Sequence, residues 1–229
     1  MVGNSIKTMT INNCDSGFFP KSVTLDFGAA GACASCDGRV RKGKLAITFS
    51  APWKNAGAVA AITTENYSVN GRAVSGKMVL TDINGIDTSS DALTPKFRRQ
   101  VSGISGVGNA TIQSTTSGSA IQYRCDHTIE QIAGHNTPHK FNDDVMTVFG
   151  IASGVNSKSR SFSVIIHETT KLKKAAICKW IQDGTLEVTP ENLATRKINF
   201  AHPGETGSGI CDSLAQVTVN GNTSIIGME

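Results

Sequence analysis

Polar and apolar residues alternate with a period of two along much of this chain. Ser22 to Phe27 alternates, and so do Lys44 to Phe49 and Gln216 to Asn220. Lys77 to Thr81, Ser161 to Ile166 and Thr185 to Thr189 read the same way. Such alternation turns one row of side chains toward a core and the next toward water, as in a half-buried β-strand. Threonine and valine recur in these runs, and branched side chains suit a pleated surface. No stretch sustains the spacing of an amphipathic helix; Pro190 to Ala194 has room for a single turn.

Turn chemistry separates the runs. Asn70 with Gly71, Asn84 with Gly85, Asp183 with Gly184 and Asn220 with Gly221 are dipeptides that tolerate positive φ in tight hairpins. Gly103 to Gly118 is rich in glycine, serine and threonine, but Val107, Ala110 and Ile112 interrupt it, which fits an edge hairpin better than a linker. This pattern predicts an all-β fold, an antiparallel β-sandwich or long curved double sheet of about 12–14 strands joined by hairpins, because open sheets of that size split or curl. Residues 1–16 read as an N-terminal extension and 17–229 as a single all-β domain. Two strand–loop–Cys-Asp corners, one ending at Cys36 and Asp37 and the other at Cys211 and Asp212, echo each other and could be neighbours in space.

Composition narrows the classes further. At 229 residues the chain can bury roughly 70 % of its extended surface. Only 17 % of residues are charged, which excludes a coiled coil. A net charge of +4 is too weak to imply a nucleic-acid partner. No apolar run approaches the roughly 18 residues of a membrane-spanning helix. The opening residues Met1 to Asn4 lack the charged-then-apolar order of a signal peptide, so the chain reads as cytosolic or as the mature region of an exported protein.

Cysteine usage favours export. Cys14, Cys33, Cys36, Cys125, Cys178 and Cys211 make an even set. Cys33 and Cys36 have CxxC spacing, but zinc would need a second pair at similar spacing, and the remaining cysteines are scattered. A redox CxxC opens a helix after a strand, whereas Cys33 to Gly38 reads as a turn. Disulfides in an oxidising compartment are the favoured reading, with 15 possible connectivities for six cysteines.

Several motifs together resemble a known group. Phe19-Pro20-Lys21 leads into Asp26-Phe27-Gly28, then Cys33, then Asp37-Gly38-Arg39 and Arg41-Lys42-Gly43. Later come Tyr67 with Val69-Asn70-Gly71, Cys178 with Trp180 and Gly184-Thr185, and Cys211-Asp212 with Val217, Val219 and Asn220-Gly221. Over roughly residues 17 to 226 the chain resembles uncharacterised secreted lipoproteins of Bacteroidota. The resemblance implies an extracytoplasmic, surface-exposed β protein and no particular reaction. Within it, Cys178 and Cys211 are the leading disulfide pair, able to staple adjacent strands; Cys33 with Cys36, or either with Cys14, comes next.

Chemistry-bearing clusters are few. His135, His139 and Asp143, with Asp144 and His127 nearby, combine imidazole and carboxylate ligands suited to zinc or copper, but Pro138 keeps the two histidines off one regular helix face. Asp82, Asn84 and Asp87, with Asp91 beyond, could present oxygen ligands to calcium around a glycine turn, though the turn alone explains them. Arg39 and Arg41 would share one strand face with Lys42 and Lys44 on the other; Phe97 to Arg99 and Lys171 to Lys174 add basic clusters. These could touch anionic glycans or lipid heads, or simply guard strand edges. Gly103 to Gly106 falls short of a nucleophile elbow. Trp53 is the candidate glycan contact, and it would need to be exposed.

The expectation is therefore a secreted or outer-membrane surface protein with a structural or interaction role, non-enzymatic and without a cofactor. Its partners would be copies of itself or other surface proteins, met through edge strands at 21–27 and 216–226. A glycan-binding β-sandwich module is the alternative.

Overall fold

The structure is a computed structural model that describes residues 8–12, 17–29, 39–84, 94–103, 108–114, 118–137, 140–201 and 210–228. Its strands are β1 (Thr8–Asn12), β2 (Lys21–Asp26), β3 (Arg41–Phe49), β4 (Val59–Val69), β5 (Arg72–Ser75), β6 (Lys77–Asp82), β7 (Lys96–Ser102) and β8 (Ala110–Ser114). They continue with β9 (Ala120–Ala133), β10 (Val145–Val155), β11 (Ser161–Ile166), β12 (Leu172–Ala175), β13 (Thr185–Pro190), β14 (Arg196–Asn199), β15 (Leu214–Val219) and β16 (Asn222–Gly227). All sixteen belong to one antiparallel sheet. The all-β antiparallel reading holds, and the strands join in a single hydrogen-bonded sheet.

The order is an up-and-down meander. Three strand pairs lie end to end in the same file: β5 with β6 beside β4, β7 with β8 beside β9, and β11 with β12 beside β10. Counted that way, every file pairs with the one before and after it in sequence. Gly76 breaks the first of these files, where a side chain would run into Ala110. The glycine-rich stretch after Gly103 is therefore not an edge hairpin. Its strand β8 continues β7 inside the sheet, between β5 and β9.

Register aligns apolar side chains into rows across the strands. Ile11, Val23, Ile47, Ile62, Met78, Val101, Cys125, Ala152, Val164 and Val188 follow one another by direct cross-strand pairing. A parallel row runs from Phe49 through Ala60, Leu80, Arg99 and His127 to Gly150 and Ile166. Six of the buried hydrophobic residues, Ala60, Cys125, Ala152, Ile166, Leu172 and Ala215, share this face. The opposite face carries most of the Lys, Arg, Gln, Ser, Asp and Glu of the central strands, with Val79, Phe149, Ile151 and Ile165 among them. The core is shallow: the largest fully buried side chains are Asp82 and Pro95. Its main cluster is Ile166, Leu172, Phe200 and Ala215, with Leu186, Ile198 and Met228 packed against it.

The turns behave as their dipeptides require. Asn70 and Gly71 (φ 49 and 71) join β4 to β5, and Asn220 and Gly221 (φ 50 and 81) join β15 to β16, both residues left-handed as in a type I′ hairpin. Asn84 differs: its amide donates to the Thr94 carbonyl (2.7 Å) and accepts from the Lys96 N–H (3.0 Å), so it pins a longer connection between β6 and β7. Pro190 ends β13 and is followed by a turn, not a helix; the short helical turns lie instead at Phe141–Asp143 and Glu168–Thr170. Thr8–Asn12, within the stretch read as an extension, pairs along β2. Of the two Cys-Asp corners, the first ends at Cys36 and Asp37, which lie outside the described residues.

Cys178 and Cys211 form a disulfide with Cα atoms 5.6 Å apart. It joins the turn after β12 to the segment before β15, rather than two strands. Cys125 is a buried free thiol, and Cys14, Cys33 and Cys36 lie outside the described residues. The loop closed by the disulfide spans 33 positions, which stabilises the fold by about 3–4 kcal/mol through the unfolded chain's lost entropy. Replacing both cysteines by alanine is expected to lower the urea-unfolding free energy by about that amount, with the far-ultraviolet β spectrum retained.

Candidate functional site

The longest strand, β9, runs through the middle of the sheet and carries ionisable groups on both faces. Alternation decides which side chain goes where. Tyr123, Cys125, His127 and Ile129 point to the apolar face, and Arg124, Asp126, Thr128 and Glu130 point to the polar one.

On the polar face the acids are satisfied across strands. Asp126 accepts two hydrogen bonds from the Arg98 guanidinium (2.8 and 2.6 Å) and one from Gln100 (3.1 Å). The Arg98 bond, reinforced by its charge, holds Asp126 below the usual carboxylate range. Glu130 is nearly buried, between Lys96 (2.6 Å) and Lys171 (2.5 Å), and Thr147 donates to it (3.4 Å). Burial pushes Glu130 up, but the lysine hydrogen bonds outweigh it and leave its pKa lowered. The Lys171 ammonium also lies 5.0 Å from the Phe149 ring centre. Two of the sequence's basic clusters, at 97–99 and 171–174, thus contribute to cross-strand ion pairs. In the third, a β-bulge at Gly43 interrupts the even two-faced order of Arg39 to Lys44. A Cβ there would collide with the backbone carbonyls of Asn66 and Glu65, at a φ of +77 that glycine tolerates. Beside this bulge Lys44 reaches Asp26 at 3.7 Å.

On the apolar face, Arg99 donates to His127 Nδ1 at 2.7 Å. A guanidinium only donates, so the imidazole is neutral with its proton on Nε2. His127 is 5 % exposed, and burial, helped by the Arg99 charge, lowers its pKa to about 4. Burial, with Cys125 next along the face, pushes the Tyr123 phenol up to about 12. The Cys125 thiol is buried in the Val101–Ala152 row, sheltered from solvent nucleophile chemistry.

The described members of the candidate ligand sets are engaged in other contacts. Asp82 is fully buried; its carboxylate accepts the Asn84 N–H (3.2 Å), and its backbone bonds Gly57 and Ala58 (2.8 Å each). With Asn84 bound to Thr94 and Lys96, these two residues fasten the connection they flank. Asp87 lies outside the described residues. Asp143 accepts from Thr137 Oγ1 (2.9 Å) and pairs with Lys140 (3.4 Å), while His135 is half-buried and His139 lies outside the described residues. Among the described residues no three His, Cys, Asp or Glu side chains converge on a metal position.

Trp53 is half-buried. It stacks on Phe97 with ring centres 5.6 Å apart and planes 12° from parallel, and its edge meets Phe49 at 6.5 Å. The segment between β3 and β4 thereby folds over the end of the apolar face, committing one face of the indole to protein. Trp180 is half-buried too, with the Lys179 ammonium 4.1 Å from its ring centre.

A groove of about 810 Å³ lies on the polar face, over β6, β7, β9, β10 and β11. Its floor includes Lys77, Gln100, Arg124, Asp126, Ile151 and Ile165. The sequence reading missed this set because its members come from five strands. The usable signal was β9 itself, whose odd and even positions from Ile121 to Glu130 sort into the two faces once His127 and Cys125 are counted as core residues. No family model, curated protein or solved structure matches the chain. No helix among the described residues is long and apolar enough to cross a membrane.

His127 makes stability pH-dependent in a defined direction. The unfolded chain binds a proton near pH 6.5 that the fold refuses until about pH 4. Stability should thus be undiminished by this residue above pH 6.5 and decline as pH falls toward 4. In urea titrations at pH 7 and 4.5, His127→Gln is expected to lose less stability between the two than the parent chain.

Proposed function

We propose that this chain is a non-enzymatic, extracytoplasmic β protein with a structural or binding role, assembling with copies of itself or with other surface proteins through its outermost strands. The observation that carries this reading is the pair of edges that the meander leaves open. Among the described residues, β1 pairs only with β2 and β16 only with β15, and every residue of both strands is exposed. Each edge offers a row of backbone donors and acceptors to an incoming strand. Met9 and Ile11 on β1 and Ile225 and Ile226 on β16 add exposed apolar side chains there. The outermost N-terminal strand is β1, not the 21–27 strand expected, since β2 is paired on both sides.

The disulfide weakly supports an oxidising compartment, and the resemblance to surface lipoproteins of Bacteroidota points the same way. The glycan reading gains less support, because Trp53 is half-buried, with one ring face on Phe97 and its edge on Phe49, whereas a sugar platform presents an exposed ring.

Assembly is read directly from mass. Light scattering behind size exclusion should show a species larger than 24.1 kDa whose fraction rises with concentration. Two β16 edges pairing would close a dimer, and β16 on β1 would extend a ladder. Ile225→Lys or Met9→Lys should shift the distribution toward monomer, since edge lysines oppose strand addition. A monomer at every concentration, alone and with candidate surface partners, would falsify the proposal.

A further inference from the structure

The groove on the polar face divides into two chemically different halves. One cross-strand row holds Lys77, Ser102, Arg124, Ser153 and Ser163. The next holds Val79, Gln100, Asp126, Ile151 and Ile165. Cations thus sit on the β6 and β9 side, and the β10 and β11 side presents Ile151 directly opposite Ile165. These two isoleucines are 58 % and 41 % exposed, on the more polar face of the sheet.

The charges in the groove are not balanced. Asp126 is committed to Arg98 and Gln100. Arg124 donates through Nε to Ser153 Oγ (2.9 Å), which holds the guanidinium over the groove without neutralising it. Neither Lys77 nor Arg124 has a carboxylate partner among the described residues. Their strands are two apart, about 10 Å in the hydrogen-bonding direction, so two long side chains can converge on one anionic group above Ser102. From β6 to β11 the groove crosses five strands, about 19 Å. Its volume of about 810 Å³ falls within the range of small-ligand sites.

We propose that this groove binds a long-chain carboxylate, a fatty acid or a molecule of the same amphipathic chemistry. The carboxylate lies between Lys77 and Arg124 and the hydrocarbon chain lies over Ile151 and Ile165. This inference is independent of assembly through β1 and β16, because the groove lies on interior strands.

Calorimetric titration of the full chain with palmitate, below its aggregation concentration, tests the assignment, with 1-hexadecanol and hexanoate as comparison ligands. Saturable one-site binding of palmitate is expected, at least tenfold tighter than either comparison ligand. Lys77→Gln and Ile151→Ser should each weaken it tenfold or more; both side chains are at the surface, so circular dichroism should be unchanged. Arg124→Gln should do the same, with Ser153→Ala separating loss of the charge from loss of its hydrogen bond. Equal affinity for the alcohol would overturn the cationic half, and equal affinity for hexanoate the apolar half. Absence of saturable binding, or unchanged affinity in Lys77→Gln and Ile151→Ser, would overturn the assignment altogether.

Discussion

Each strand has hydrogen-bonding groups on both flanks, and that requirement organises the molecule. A buried N–H or C=O left without a partner costs free energy comparable to a lost hydrogen bond. The meander meets the requirement by giving each file the neighbours that sequence supplies, with no crossover connections. Where one file is made of two strands, a longer neighbour spans the break: β4, β9 and β10 are the longest strands and do this work. Among the described residues, the outer flanks of β1 and β16 are left without a neighbouring strand. Fold and proposed role therefore follow from the same constraint, since the groups that hold strands together inside are available to a partner at the ends.

The central strands add a second layer of specificity. Asp126 and Glu130 are held by arginine and lysines from neighbouring strands. A one-residue slip would carry these groups to the apolar face and bring the valines out. The exposed Arg98–Asp126 pair adds little to net stability, but both sets of contacts penalise wrong registers. The Arg99–His127 pair lies within the apolar row instead, and there neutrality of the imidazole makes the contact tolerable.

Much of the strand pattern was legible in the sequence. Ser161 to Ile166 is β11 residue for residue, and the runs beginning at Ser22, Lys44, Lys77 and Thr185 fall within or beside strands. The glycine dipeptides at 70–71 and 220–221 mark the hairpins they suggest. Alternation says that one face of a strand is covered, but not by what, so sandwich and single sheet were equally compatible with it. The strand β9 was hidden because Cys125 and His127 occupy core positions while reading as chemistry. The groove was harder still: Lys77, Arg124, Ile151 and Ile165 are brought together only by cross-strand register, which no single segment encodes.

The file shared by β7 and β8 has an architectural consequence. Val101 faces Cys125 and Ala110 faces Tyr123, so β9 advances by two residues while its neighbour advances by nine. Both ends of the intervening chain are clamped by the same strand. Its closure cost grows only logarithmically with length, and neither register depends on what it contains. The join between β7 and β8 is thus a place where an added peptide tag or protease site would enter between two registers that β9 already fixes.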